Sequence, residues 1–218
     1  MLPTTSPNFS VIRRNLSRLG RIRRYFAAYC QYSSRYDKLQ QGDAANVFRT
    51  SMSGGATMDI GVYTIYPMVA LFGMPQSINA QGIILSGGVD GQAAVNMTYP
   101  DMNATVVYSK IADSYLPSEI EGEKGNLLMS GIHVIHDVTF IPHRKPMSGQ
   151  GPEEERQAVG VEIDKSDYFY ETAEFIDLVE KGKSESENNS WENSYNTLRV
   201  TDEIRRQLGV VFPTDSAK

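Results

Sequence analysis

The chain has 218 residues, of which 40% are hydrophobic and 22% are charged, and its formal net charge is -5 at pH 7. This composition excludes a disordered chain and argues against general nucleic-acid binding. The longest apolar run, which follows Asp59, is broken by Pro67 well before bilayer length, and nothing after Met1 resembles a signal peptide. The single cysteine, Cys30, cannot form an internal disulfide, and its apolar surroundings indicate a small buried residue. We therefore expect a cytoplasmic protein without a membrane span.

The first third of the chain predicts a helix, a strand and a loop. The helix begins at Pro7 and ends at Gly20. Its apolar residues recur at helical spacing: Phe9, Ile12, Leu16 and Leu19. Residues 21 to 32 change to side chains of high β-propensity and predict the first strand. Residues 33 to 53 show no clear period, so we expect a long functional loop there.

Basic residues without acidic neighbours cluster around that first helix and strand: Arg13, Arg14, Arg18, Arg21, Arg23 and Arg24. Such a cluster fits an anionic partner such as RNA, but it also fits a solvated helix face and strand end. The second interpretation is favoured because charge runs are commonly solvated surface.

A second helix is expected after Gly54-Gly55. Its apolar face consists of residues spaced four and three apart: Met58, Val62, Ile65, Val69 and Phe72. Asp59 and Tyr63 are four residues apart, so a regular helix stacks them on one face. Pro67 has no N–H to donate to the carbonyl of Tyr63, which predicts a bend or a free carbonyl at that residue.

Strands dominate the middle of the chain. The pattern places them at residues 77–85, 92–99, 105–111, 118–125, 126–129 and 132–141. Residues 87–91 are expected to form the turn between the first two strands, and the Asp90-Gly91 pair within them is typical of a hairpin. The short connections predict antiparallel pairing.

The last part of the chain returns to helices. Residues 143–156 predict a surface loop and residues 158–163 an edge strand. Asp167 is expected to cap a helix that ends near Gly182, and a final helix runs from about residue 191 to residue 208. This order predicts an α+β fold with a mainly antiparallel open β-sheet covered on one face by helices.

The sequence Gly-Gly-Ala-Thr-Met-Asp-Ile-Gly-Val-Tyr from Gly54 to Tyr63, with the Leu71-Phe72-Gly73 ending, resembles the second-domain helix of the glucose-fructose oxidoreductase/inositol dehydrogenase/MocA (GFO/IDH/MocA) family. Further similarity lies in residues 34–37 and 46–48, in residues 119–125 and in residues 199–213. The likeness covers nearly the whole chain, and the Asp-Ile-Gly-Val-Tyr variant is most like the dihydrodiol dehydrogenase branch. The resemblance implies an NAD(P)-dependent dehydrogenase of sugars, polyols or dihydrodiols.

Two features of the family do not occur in this sequence. One is the Gly-x-Gly-x-x-Gly phosphate loop of the Rossmann domain, and the other is the Glu-Lys-Pro motif with its catalytic lysine. The resemblance therefore divides the chain into residues 1–20, a remnant helix from the end of a missing Rossmann domain, and residues 21–218, a C-terminal substrate-binding and dimerisation domain. NAD or NADP is implied as the cofactor, although Gly54-Gly55 and Gly87-Gly88 lack the spacing of a binding motif.

The resemblance also assigns roles to single residues. Tyr63 matches the tyrosine that serves as general acid/base, and Asp59 matches the aspartate that orients the substrate. Arg35 and Tyr36 are the expected substrate-binding residues. The residues alone leave other interpretations open, namely a helix cap for Asp59, a half-buried aromatic for Tyr63 and a solvated loop charge for Arg35. A phenol has a pKa near 10, so proton transfer requires a cation that lowers the pKa, and the family's lysine is absent.

Other polar clusters are weaker candidates. His133 and His136 are three residues apart in an expected strand and would lie on opposite faces, and with His143 they lack the partner ligands of a zinc site. An acidic stretch is expected to be a solvated sheet edge: Asp113, Glu119, Glu121 and Glu123.

Two functional hypotheses remain open at this point. The first is the substrate domain of an oxidoreductase for small sugars, polyols or diols, inactive alone because its cofactor is bound elsewhere. The second is a non-catalytic association module left by truncation, and the resemblance implies a homodimer through the open sheet face. In either case the apolar face of residues 9–19 is expected to be exposed unless it folds back on the sheet or pairs with a neighbour.

Overall fold

A computed structural model describes residues 1–43, 45–143 and 156–216. The helices in these ranges are α1 (Leu2–Thr5), α2 (Pro7–Asn15), α3 (Ser34–Gln40), α4 (Val62–Phe72), α5 (Asp167–Glu180) and α6 (Trp191–Leu208). The strands are β1 (Ile22–Cys30), β2 (Ser77–Ile84), β3 (Asp90–Thr98), β4 (Asn103–Ser109), β5 (Ser118–Gly122), β6 (Gly125–Met129), β7 (Thr139–Pro142) and β8 (Gln157–Ala158). A π-helical turn, Thr57–Gly61, leads directly into α4 and is called the π-turn below.

The strands form one open sheet with the order β2-β3-β4-β1-β5-β6-β7-β8. The first strand of the chain therefore lies in the middle, where it pairs with β4 in parallel and with β5 in antiparallel orientation. Every other neighbouring pair is antiparallel. The predicted α+β fold with a mainly antiparallel open sheet is confirmed.

One face of the sheet carries the core. Alternate side chains of β3 and β4 are buried, namely Ala93, Val95, Met97, Ala104, Val106 and Tyr108. This period of two is expected for a sheet with one covered face. Helix α4 packs on β1 and β4, and α6 packs on β2 and α4. The hydroxyl of Tyr25 on β1 donates a 2.9 Å hydrogen bond to the carbonyl of Thr64, which fixes α4 on the central strand.

The apolar face of the first helix also belongs to this core. Phe9 and Ile12 are 1% exposed and Leu19 is 0% exposed, all within the main hydrophobic cluster. Leu16 is half-buried against the same cluster. Of the outcomes considered from the sequence, the face therefore folds back onto the sheet of this chain.

Residues 33–53, which were expected to form a long loop, contain more helical structure than the sequence indicated. The segment contains α3 and two short 3-10 helices, Asn46–Phe48 and Thr50–Met52. The hydroxyl of Ser33 caps α3 by accepting a 3.3 Å bond from the amide of Arg35. Helix α3 was missed because it buries a single residue, Leu39, which is too few to produce a helical period.

Two expected strands are shorter in the structure. Residues 132–138 are irregular and β7 begins at Thr139, because the carboxylate of Asp137 closes a loop with the amide and the hydroxyl of Ser130 at 2.9 and 2.6 Å. The edge strand expected at 158–163 is reduced to β8. Its continuation turns away because the amides of Val159 and Gly160 both bond to one carbonyl, that of Val138.

Two expected turns also differ. The turn between β2 and β3 is closed by the 2.8 Å bond from the Leu85 amide to the Val89 carbonyl, so Asp90 is the first residue of β3 and not part of the turn. Helix α5 is preceded by Ser166 as N-cap, and Asp167 is its first residue. The final helix has the predicted bounds. Most of the loop expected at 143–156 lies outside the described residues.

The arginine cluster is partly neutralised by neighbouring acidic residues. Arg23 forms an ion pair with Glu123, and Arg24 forms one with Glu121. Because β5 lies between β1 and β6, the expectation that Glu119 and Glu121 mark a sheet edge was wrong. These side chains belong to the open face in the middle of the sheet.

Candidate active site

The segment that carries Asp59 and Tyr63 is hydrogen-bonded at its start to the buried carboxylate of Asp90. One oxygen of Asp90, Oδ2, accepts hydrogen bonds from the amide and from the hydroxyl of Thr57, each of 2.7 Å. The hydroxyl of Thr57 also lies 2.8 Å from that of Tyr108. Gly55 has φ +120°, and a Cβ there would lie 2.3 Å from Oδ1 of Asp90. The glycine is therefore required for the backbone to approach this carboxylate.

The π-turn follows immediately. The amide of Val62 bonds to the carbonyl of Thr57, five residues earlier, which widens the helix by one residue. Gly61 lies against the ring of Tyr108, where a Cβ would be 3.0 Å from the ring carbons. Helix α4 then continues through Pro67. Asp59 and Tyr63 were expected to share one helix face, but Asp59 lines one cavity and Tyr63 lines another.

Asp59 lines the first of these cavities, of about 580 Å³, which is called the polar cavity below. Its walls are Arg35, Ala45, Asn46, Val47, Met52, Ser53, Gly54, Met58 and Asp59. The guanidinium of Arg35 is exposed and makes no hydrogen bond or ion pair within the described parts of the chain. A guanidinium, an amide, a hydroxyl and a carboxylate around one volume of this size suit a small polar molecule.

A buried lysine is paired with Asp59 at this site. Lys110 directly follows β4 and is 6% exposed, and its ammonium forms an ion pair with Oδ2 of Asp59. Sequence reasoning missed this residue. The available signal was a lysine in the apolar run at residues 105–111, which is unusual because lysine is rarely buried without a partner.

Tyr63 lines a second cavity of about 490 Å³, the apolar cavity, which lies between α4, α5 and α6. Tyr66, Tyr168, Glu171 and Leu198 are among its other walls. Burial raises the pKa of Tyr63, and the negative charges of Asp59 and Glu171 raise it further. The phenol is therefore held in its protonated form and is a weaker acid than a free tyrosine, the opposite of the lowered pKa that proton transfer requires.

Tyr63 is supported by an aromatic stack. The ring of Tyr29 lies edge-on to that of Tyr63, with centroids 5.8 Å apart. The imidazole of His133 in turn stacks on the ring of Tyr29, with centroids 4.0 Å apart. Nδ1 of His133 is buried without a partner among the described residues, and burial lowers the pKa of this imidazole. A neutral His133 is thus part of the aromatic support of the site.

The histidines do not lie on a common strand as expected. Nε2 of His136 is 2.8 Å from a carboxylate oxygen of Asp167, while His133 faces Tyr29. Over residues 1–43, 45–143 and 156–216, no three His, Cys, Asp or Glu side chains are grouped so as to hold a metal ion.

Tyr36 is placed differently from the other candidates. Its ring packs edge-on against Tyr32 and Phe48, with centroids 5.9 and 6.2 Å apart, and it belongs to a small second cluster with Leu39. It does not line the polar cavity. The structure thus brings Arg35 and Asp59 to one cavity, places Tyr63 in another, and packs Tyr36 against aromatic neighbours.

The glycine pairs do not fit the phosphates of a dinucleotide. A Cβ at Gly54 would lie 2.5 Å from the carbonyl oxygen of Val47, and one at Gly87 would lie 2.3 Å from that of Phe48. The helix N-terminus at Thr57, where a phosphate would bind, already holds the carboxylate of Asp90. Both glycine pairs therefore serve close packing of the backbone.

The model of the GFO/IDH/MocA C-terminal domain matches residues 15–128. The chain belongs to the GFO/IDH/MocA family. The segment Gly54–Tyr63, by which the family was recognised from the sequence, lies within the matched range and forms the π-turn and the start of α4. The recognition of the GFO/IDH/MocA family is therefore confirmed.

Individual relatives agree with this assignment. The scyllo-inositol 2-dehydrogenase (NADP(+)) IolU of Bacillus subtilis is 41% identical over 217 residues, which are 100% of this chain and 63% of that protein. The trans-1,2-dihydrobenzene-1,2-diol dehydrogenase of Danio rerio is 29% identical over 169 residues, 76% of this chain and 49% of that protein. This GFO/IDH/MocA chain thus spans less than two thirds of the length of these relatives.

Solved structures show the same fold. A levoglucosan dehydrogenase in complex with NADH and levoglucosan superposes with a TM-score of 0.71 at 15% identity, over 95% of this chain and 61% of that one. At this identity the likeness concerns the GFO/IDH/MocA fold alone.

None of the helices that the structure describes is both long and apolar enough to cross a membrane.

Proposed function

We propose that this chain is the substrate-binding domain of an NAD(P)-dependent dehydrogenase of sugars, polyols or dihydrodiols. The observation that carries the proposal is the polar cavity, in which Arg35 and Asp59 face a volume of about 580 Å³. Family membership supports it, and so do the activities by which the relatives are named, which include an NADP(+)-dependent inositol dehydrogenase and a dihydrodiol dehydrogenase.

The side chains of this domain are suited to the oxygen atom of the substrate. Interconversion of an alcohol and a carbonyl moves a hydride at carbon and a proton at oxygen. Arg35 donates hydrogen bonds to substrate hydroxyl or carbonyl oxygens, and Asp59 accepts one from a hydroxyl. Tyr63, which lines the apolar cavity, is the proposed proton donor to the carbonyl oxygen in the direction of reduction.

The cofactor, NAD or NADP, is bound in this proposal by protein outside the residues described here. The glycine pairs of this chain do not fit its phosphates, and the relatives are longer than this chain by more than a third of their own length. Residues 21–218 then form the substrate-binding and dimerisation unit. Residues 1–20 continue from a Rossmann domain and pack on the sheet through Phe9, Ile12 and Leu19.

The open face of the sheet is the proposed contact between two copies. Exposed apolar side chains lie on the edge strand β2, namely Ile83 and Ile84, and in the connection between β4 and β5, namely Tyr115 and Leu116. Sedimentation analysis over a range of concentrations is expected to show a dimer, and a monomer at high concentration would contradict this part of the proposal. The alternative of a purely non-catalytic association module requires that no substrate binds in the polar cavity.

A cofactor titration tests whether the cofactor is bound by protein outside this chain. The protein fluorescence of the chain is expected to stay unchanged on addition of NADPH or NADH, and the chain alone is expected to turn over neither scyllo-inositol nor a dihydrodiol. Saturable cofactor binding with turnover would contradict the proposal that the cofactor is held elsewhere.

A further inference from the structure

Lys110 is a buried lysine whose charge must be compensated by a partner. Lys110 is 6% exposed, and an ammonium group in that environment is strongly destabilising unless a counter-charge compensates it. Its ionic partner among the described residues is Asp59, whose side chain is 41% exposed and lines the polar cavity. A buried cation is thus paired with a carboxylate that faces the solvent.

The pair leaves one carboxylate oxygen for other partners. Oδ2 of Asp59 binds the ammonium group, whereas Oδ1 has no hydrogen bond within the described parts of the chain. Because the side chain lines the polar cavity, this oxygen is available as an acceptor for a hydroxyl group inside it. The ion pair at Oδ2 restricts the rotation of the carboxylate and so fixes the direction of Oδ1.

The backbone of Lys110 is hydrogen-bonded to the segment that leads into α3, the helix that bears Arg35. Its amide donates a 2.8 Å bond to the carbonyl of Gly91, and its carbonyl accepts a 2.9 Å bond from the amide of Ser33. Ser33 in turn caps α3 next to Arg35. One residue therefore holds the π-turn through its side chain and the helix that bears Arg35 through its backbone.

We propose that Lys110 is a positioning residue that sets the orientation of Asp59, and the spacing of Asp59 and Arg35, for a substrate with neighbouring hydroxyl groups. This inference rests on the proposed function as a substrate domain. Lys110 does not touch the substrate, since its ammonium group lies beneath Asp59 and is almost completely buried. Its effect on binding is transmitted through the carboxylate.

A double-mutant cycle tests the proposal on the full chain with scyllo-inositol as the probe. Binding is followed by NMR shifts of the isotope-labelled protein for Lys110→Met, Asp59→Asn and the double variant. We expect Lys110→Met to weaken binding roughly tenfold or more, since a hydrogen bond to a charged group is involved. The double variant should bind no more weakly than Asp59→Asn alone, and Lys110→Arg should retain most of the affinity. Additive losses, or unchanged affinity in Lys110→Met, would overturn the proposal.

Urea unfolding of the same variants provides a readout that needs no ligand. Asp59→Asn leaves the ammonium group buried without a counter-charge, so its unfolding midpoint should fall, and adding Lys110→Met should raise the midpoint again. Independent effects on the midpoint would overturn the ion pair and with it the positioning role. If the midpoints are coupled but wild-type protein binds no scyllo-inositol, the proposed function fails while the coupling still supports the pair. Should Lys110→Met not fold alone, the double variant and Lys110→Arg complete the comparison.

Discussion

The carboxylate of Asp90 receives two 2.7 Å hydrogen bonds from Thr57, one from its amide and one from its hydroxyl. Asp90 is the first residue of β3, whereas Thr57 begins the π-turn, so this contact joins the sheet to the segment that carries Asp59 and Tyr63. The position of both candidate residues therefore depends on a side chain far away in sequence.

Asp90 is expected to make the stability of the protein depend on pH. Burial raises its pKa, although the bonds from Thr57 act in the opposite direction. Because the pKa is higher in the folded than in the unfolded state, the stability contributed by this carboxyl is fully present below its unfolded value of about 3.9. It is lost as the pH rises through the folded pKa.

Asp90→Asn should remove that pH dependence while it keeps the size of the side chain. The measurement is the free energy of unfolding in urea from about pH 4 upward for wild type and variant. Asp101→Asn, at an exposed turn, is the control and should follow wild type. Parallel curves for wild type and Asp90→Asn would contradict the account of this contact.

Alanine substitutions at Gly55 and Gly42 distinguish the effect of a close contact from that of backbone strain. Both have positive φ, +120° and +88°, but a Cβ at Gly55 would lie 2.3 Å from Oδ1 of Asp90, whereas a Cβ at Gly42 would have no atom within 4 Å. Gly42→Ala should lower the unfolding free energy by about 1 kcal/mol, from the unfavourable backbone region alone. Gly55→Ala should lower it by roughly 3 kcal/mol or more, because the contact with Asp90 is also lost. Equal losses in the two variants would show that the close approach is unimportant.

Tyr63 should keep its proton beyond the normal range of a phenol. Burial and the charges of Asp59 and Glu171 raise its pKa, so its ring carbon resonance, assigned with Tyr63→Phe, should titrate above pH 10. Asp59→Asn and Glu171→Gln should each move the titration to lower pH, because each removes a negative charge. Ionisation of Tyr63 below pH 10 would contradict the effect assigned to burial and to these two carboxylates.

His133 is expected to destabilise the protein at mildly acidic pH. Burial lowers its pKa below that of the unfolded state, so its contribution to stability is present above the unfolded value of about 6.5. That contribution is lost as the pH falls through the folded pKa. His133→Phe keeps a ring to stack on Tyr29 and should lessen the decline in unfolding free energy below pH 6.5. His143→Gln, at an exposed position, is the control, and an equal change in both variants would contradict the assignment.

Strongly periodic segments could be predicted from the sequence. Helix α6 runs from Trp191 to Leu208, as predicted, and Gly209 ends it with φ +73°. The alternation along β3 and β4 likewise indicated one covered face. In these elements, local propensity and burial specify the same structure, so the pattern alone was sufficient.

The remaining features depend on contacts between distant parts of the chain. The π-turn is accommodated by the ring of Tyr108 against Gly61, and the sheet order depends on the insertion of β1 between β4 and β5. Lys110 and Asp59 are 51 residues apart, so no local spacing reveals their ion pair. The sequence motif identified Asp59 and Tyr63, but the packing of other strands determines which cavity each one lines.

Substrate binding in the polar cavity is measured most directly by a titration of the isotope-labelled chain with scyllo-inositol, followed by NMR. We expect saturable shifts concentrated at Arg35, Asn46, Ser53 and Asp59, the polar wall of the cavity. Arg35→Ala should weaken binding roughly tenfold, whereas Arg199→Ala, on helix α6 and not among the residues that line the polar cavity, should leave it unchanged. Shifts located elsewhere, or equal affinity in Arg35→Ala and wild type, would contradict the account.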